Sequence, residues 1–115
     1  MDIDRIVPNL TVTDPSRAAR EHAAVLGLEI VMDHGWIVTL SHNSGRQLSL
    51  ISQDATAPMN PDVSVFVDDV TAAYDSAKDA DIDIVYPLTA EEWGVTRFFY
   101  RDCAGNVVNV GTHSK

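Results

Sequence analysis

A chain of 115 residues, 45% hydrophobic and without low-complexity tracts, has room for one domain with a modest core. Seventeen acidic against eight basic residues give a net charge of −9. This disfavours nucleic acid and anionic membranes, whose phosphates need clustered Lys and Arg, and favours cationic ligands through long-range attraction. No run approaches the roughly 20 apolar residues of a membrane span, and the acidic start Met1–Arg5 lacks an apolar signal core. The one cysteine, Cys103, fits a reducing compartment, so a cytoplasmic protein is expected.

The first strand is read at Ile6 to Thr13, with Ile6, Leu10 and Val12 on one face and Val7, Asn9 and Thr11 on the other. Asp14-Pro15 then opens a helix: an Asp side chain accepts orphan N–H groups, and Pro fits the first helical position. Ala18, Ala19, His22, Ala23 and Leu26 keep helical spacing, and Gly27 ends the run. Strands follow at Leu28–Met32, Trp36–Leu40 and Gln47–Ile51, separated by turns at Asp33-His34-Gly35 and Asn43-Ser44-Gly45. A linker covers about 54–61.

The order then returns. Asp62–Asp68 reads as a strand, and Asp69 caps a helix whose Val70, Ala73, Tyr74 and Ala77 share one face. A strand at Ile82–Tyr86, a loop at Pro87–Gly94, and strands at Val95–Arg101 and Val107–Val110 complete it, the last two joined by a turn at Asp102–Asn106. Val12, Asp14 and Ala18 line up with Val67, Asp69 and Ala73 at one constant offset. After one net deletion, Ile30 and Val31 line up with Ile84 and Val85. The fold class is therefore α+β: one domain, 1–115, built from two βαβββ modules at about 5–53 and 62–112. Half-length modules of this kind cannot bury both sheet faces alone, so the faces opposite the helices are expected to line a cavity.

This layout resembles the vicinal oxygen chelate superfamily, which groups glyoxalase I, extradiol dioxygenases and the bleomycin resistance proteins. The resemblance rests on Leu10-Thr11-Val12-Thr13-Asp14, Val25-Leu26-Gly27-Leu28-Glu29, Trp93-Gly94-Val95-Thr96-Arg97-Phe98-Phe99 and Asp102-x-x-Gly105-Asn106, in order along nearly the whole chain. Two departures are an Asp102-Cys103-Ala104-Gly105 turn where the family has Asp-Pro-Asp-Gly, and His22-Ala23 where an aromatic pair is common. The resemblance implies a cupped mixed sheet, the glyoxalase/bleomycin resistance fold, and a homodimer.

It also implies four positions for metal ligands in metal-dependent members, which here are Val7, Ser49, Asp62 and Asn109. Divalent metals need several His or carboxylate donors, and this set offers one, so no metal and no other cofactor is expected. The reading that follows is metal-independent sequestration of a small or medium, planar and cationic organic ligand, as in bleomycin resistance. Trp36, Trp93, Phe66 and Phe99 would stack on it, and Asn9, Ser49, Asp62 and Asn109 would supply hydrogen bonds and charge around Val7. Arg97, after Trp-Gly, is read as a salt-bridge partner of Asp62 or a rim acid, or as a grip on a ligand carboxylate. Glu91 and Glu92 are read as a solvated rim and His113 as tail. The alternative is a lyase, isomerase, hydrolase or dioxygenase-like enzyme acting on a small organic substrate, with Asp62 as general base if any residue is catalytic. No nucleic-acid or membrane partner is expected.

Overall fold

The computed structural model describes residues 1–43 and 46–113. Its elements are β1 (Ile3–Thr11), α1 (Pro15–Leu26), β2 (Glu29–Asp33), β3 (Ile37–Ser41), β4 (Gln47–Ile51), β5 (Val63–Val67), α2 (Val70–Asp79), β6 (Asp83–Ala90), β7 (Val95–Arg101) and β8 (Val107–His113). The mixed α+β architecture and the repeated strand–helix–strand–strand–strand order are those the sequence predicts. Two compact units divide the chain: an N-module, Val7–Asn60, and a C-module, Met1–Ile6 with Pro61–Lys115. The boundary falls inside β1, so the first six residues go with the second half of the chain and not with the first module.

In the N-module, β1 pairs parallel with β4, placing Asn9 opposite Ser49, and β4 pairs antiparallel with β3, placing Ser49 opposite Thr39. Strand β2 closes the set against β3, with an irregularity between Ile30 and Met32. Helix α1 starts as its sequence requires: the Asp14 carboxylate accepts the Arg17 N–H at 3.2 Å, and Pro15 occupies the first turn. Gly27 ends it in the left-handed region at φ 69°, where a side chain would be strained. The helix sets Ala19, with Ala18 and Ala23, onto Val38, Leu40 and Leu50, which point to the same side of the sheet.

The C-module repeats the plan. Strand β5 pairs parallel with β8, which pairs antiparallel with β7, which pairs antiparallel with β6. The Asp69 carboxylate caps α2 through the Ala72 N–H at 3.0 Å. Val70, Ala73, Tyr74 and Ala77 lie on the helix face that meets Val67, Phe98 and Val110. Tyr74 stands edge-on to Phe98, with centroids 4.9 Å apart, so this core contains an aromatic pair in its favoured geometry. Burying a side chain the size of Phe98 contributes about 2 to 3 kcal/mol, which makes this strand–helix contact the anchor of the module.

Most strand ends shift by one to three residues from the sequence reading, and four differences bear on the site. Strand β6 runs on through Pro87 to Ala90, where a loop was expected. It is the outermost strand of its module, and an edge position tolerates a residue without an N–H; the register shifts between Tyr86 and Thr89. Strand β8 extends to His113, so that residue belongs to the sheet and not to a tail. The expected linker is no free tether. Asn60 donates to the Ser52 carbonyl at 3.1 Å and accepts the Asp54 N–H at 2.6 Å, while buried Asp54 accepts from Thr56. Trp36 precedes β3 instead of opening it. Of the turn read at Asn43-Ser44-Gly45, Ser44 and Gly45 lie outside the described residues.

Candidate functional site

Strand alternation gives each module one face under its helix and one face opposite. In the N-module the opposite face carries a row of Asn9, Ser49 and Thr39, side by side on three paired strands and all buried. The Thr39 and Ser49 hydroxyls are 2.7 Å apart. Val7, one pleat earlier on β1, is buried on the same face. The row is neutral, and it offers hydroxyl and amide groups that both donate and accept.

The corresponding row in the C-module is Ser64, Asn109 and Phe99. The Asn109 amide nitrogen donates to the Ser64 hydroxyl at 3.1 Å. Its oxygen is buried and has no hydrogen-bond partner among the described residues, although the residue is only 5% exposed. Rotating the amide end for end would exchange the roles of its two polar atoms, so one end lacks a partner either way. A buried polar atom left in that condition costs about 1 to 3 kcal/mol.

Beside that row, β7 aims Arg97 to the same side. Its Nη2 donates to Glu91 Oε2 at 3.2 Å, with both side chains almost wholly buried. The Tyr86 hydroxyl donates to the other Glu91 oxygen at 2.8 Å. The rings of Phe99, Trp93 and Tyr86 surround the guanidinium at 4.9, 5.2 and 5.5 Å. Gly111, paired with Arg97 across the strands, leaves room for it: a Cβ there would lie 3.4 Å from the Arg97 Cβ and 3.3 Å from a Val95 methyl. Burial raises the Tyr86 pKa, and the hydrogen bond to the Glu91 carboxylate raises it further, so the phenol stays protonated.

The site residues expected from sequence therefore divide. Val7, Asn9, Ser49, Arg97, Phe99 and Asn109 are buried on the faces opposite the helices. Asp62 is exposed at the entrance to β5, and its carboxylate accepts the Val107 N–H at 2.8 Å. Arg97 pairs with Glu91 and not with Asp62, which corrects the reading of Glu91 as a solvated rim acid. Phe99 is fully buried with its ring committed to Arg97 and Tyr86, the latter at a centroid distance of 5.0 Å. Half-buried Phe66 stacks against His113. Trp36 is half-buried, and Trp93, half exposed, covers Arg97. Sequence reasoning passed over Thr39, Ser64 and Tyr86. Ser64 was within reach, because it aligns with Asn9 in the repeat.

A sequence model of the glyoxalase/bleomycin resistance protein/dioxygenase superfamily matches residues 2–110. The chain belongs to this superfamily. No curated protein matches the sequence. Among solved structures, a Legionella pneumophila protein described as an NAD-dependent benzaldehyde dehydrogenase aligns at a TM-score of 0.78 and 16% identity, over 95% of this chain and 99% of that one. A superfamily member from Vibrio splendidus 12B01 aligns at 0.72 and 20% identity, over 96% and 99%. A Staphylococcus aureus protein aligns at 0.70 and 17% identity, over 99% and 100%. At these identities the likeness is one of fold.

Metal-using members of the superfamily set a donor test that these residues do not meet. Val7 has no donor atom, Ser49 shares its hydroxyl with Thr39, Asn109 offers a neutral amide, and Asp62 lies exposed against the Val107 backbone. Among the described residues, no three His, Cys, Asp or Glu side chains gather closely enough to hold a metal ion. Nor is any described helix long and apolar enough to cross a membrane.

Proposed function

We propose that this protein binds a small or medium planar organic molecule without a metal and holds it unchanged, as bleomycin resistance proteins do. The observation that carries the reading is the Asn109 amide, buried beside Ser64 with one polar end lacking a partner among the described residues. A ligand donor or acceptor reaching that end recovers the cost of leaving it bare. Trp93, in the same module, is half exposed, whereas Phe99 and one face of Phe66 are committed within the protein. Stacking on the Trp93 ring contributes about 0.5 to 2 kcal/mol. The net charge of −9 draws a cationic ligand, and Glu91 neutralises the buried cation Arg97 that would otherwise oppose it.

The enzymatic alternative places the work on Asp62. The Asp62 carboxylate is exposed at the entrance to its strand and already engaged by the Val107 N–H, away from the buried polar row, so the binding reading is preferred. A homodimer belongs to the same proposal. In the C-module an apolar groove of about 470 Å³ runs past Met1, Ile3, Ile6 and Ile82, side chains that stay exposed, and a second copy is the partner we assign to it.

Thermal-shift screening against planar aromatic cations tests the proposal, since a ligand of the native state raises Tm. A hit should then change tryptophan fluorescence to a stable plateau. A plateau that decays as the compound is consumed would favour the enzyme, and no hit among such cations would remove the cationic ligand class.

A further inference from the structure

In the C-module, the first residues of β1 meet β5 and β8 at a three-membered stack. The rings of Phe66 on β5 and His113 on β8 lie nearly parallel, 10° apart in tilt, with centroids separated by 4.8 Å. The Arg5 guanidinium sits 4.1 Å from the Phe66 centroid. Arg5 Nη2 and His113 Nε2 are 2.6 Å apart, too close for the two groups to lie on opposite sides of the ring. They share one face of Phe66.

An arginine side chain has donors and no acceptor. His113 Nε2 must therefore accept, which puts the imidazole proton on Nδ1 and requires a neutral ring. Protonation would set one N–H against another and bring a second positive charge to contact distance of the first. The charged groups facing His113 are Arg5 and, opposing it, Asp4, both from β1. Strand β5 contributes the neutral ring of Phe66, and β7 contributes Val95, its register partner.

We propose that the Arg5–Phe66–His113 stack is a proton-released clasp. Neutral His113 holds the opening residues of β1 onto their module and covers one face of Phe66, and protonated His113 releases both. Partial burial, and next the Arg5 charge, keep the His113 pKa below its ordinary value, against a smaller opposing effect of Asp4. The sign follows. A pKa lower in the folded than in the released state gives a contribution that is complete above the ordinary histidine value. It shrinks as pH falls through that value towards the folded pKa, and it is gone below the latter.

The test needs only the full chain without ligand. Amide hydrogen exchange at Arg5 and Ile6, corrected for intrinsic rates, should accelerate between pH 8 and pH 5 relative to β7, by up to about tenfold per pH unit between the two midpoints. In His113→Gln, which keeps a neutral acceptor, that acceleration should vanish. In Arg5→Met, the His113 midpoint read by NMR should move upward. An equal acceleration in His113→Gln, or an unmoved midpoint in Arg5→Met, overturns the clasp. The second readout stands even where the first variant disturbs the fold.

Discussion

Asn109 and Ser64 face each other across β8 and β5, and the amide nitrogen donates to the hydroxyl at 3.1 Å while the amide oxygen is buried without a partner among the described residues. A pair kept only for stability has no use for that oxygen. A pair kept for a ligand does. Asn109→Leu removes the bare atom and leaves Ser64 in place. Stability in urea should change by no more than about 1 kcal/mol. Ligand affinity should fall about tenfold or more, the equivalent of one hydrogen bond of roughly 1.4 kcal/mol. Loss of stability and affinity together would assign the pair a structural role.

The buried pair of Arg97 and Glu91 gives the opposite pattern. Removing the cation strands the Glu91 carboxylate with little access to water, so Arg97→Met should lower stability by about 3 to 5 kcal/mol. Adding Glu91→Gln to that variant should restore part of the loss, because the amide keeps an acceptor for the Tyr86 hydroxyl without the charge. Denaturant melts of the two single variants and the double variant complete the cycle. Additive losses would show that the two side chains do not act on each other.

Asp102 explains why the last turn survives its departure from the family pattern. Its carboxylate accepts the N–H groups of Ala104 and Asn106 and the Asn106 side-chain amide, each at 2.9 Å, so the turn is held from position one and needs no proline. The bonds from Asn106, side chain first and then backbone, hold the Asp102 pKa below the ordinary carboxylate value. A pKa depressed in the fold contributes stability above the unfolded value and loses it as pH falls through the folded one. The stability gap between the parent chain and Asp102→Ala should thus be widest near neutral pH and narrow in acid. A gap that is constant from pH 7 to pH 3 would rule the carboxylate out as its source.

The fold was legible because its signals are local. Asp14-Pro15, Gly27 and Asp69 mark helix ends by their own chemistry, and Val70, Ala73, Tyr74 and Ala77 keep the period of the face they bury. Arg97 and Phe99, both named from the sequence, share one face of β7 as strand alternation requires. What could not be read was the partner each would take. Glu91 returns to Arg97 only because β6 continues past Pro87 to Ala90, and proline in the sequence argued for a loop there. Asp62 drew attention as the only charged member of its set, yet the strand begins one residue later and turns the inward place over to Ser64. The commitment of Phe66 to Arg5 and His113 joins residues from the two ends of the chain, a pairing that no local pattern encodes.

Titration calorimetry with a planar aromatic cation, run with and without a metal chelator, bears most directly on metal-free binding by the Asn109 row. One saturating transition, equal in both conditions and lost in the Asn109→Leu variant, is the expected result. Heat that disappears with the chelator, or that persists unchanged in the variant, would contradict it.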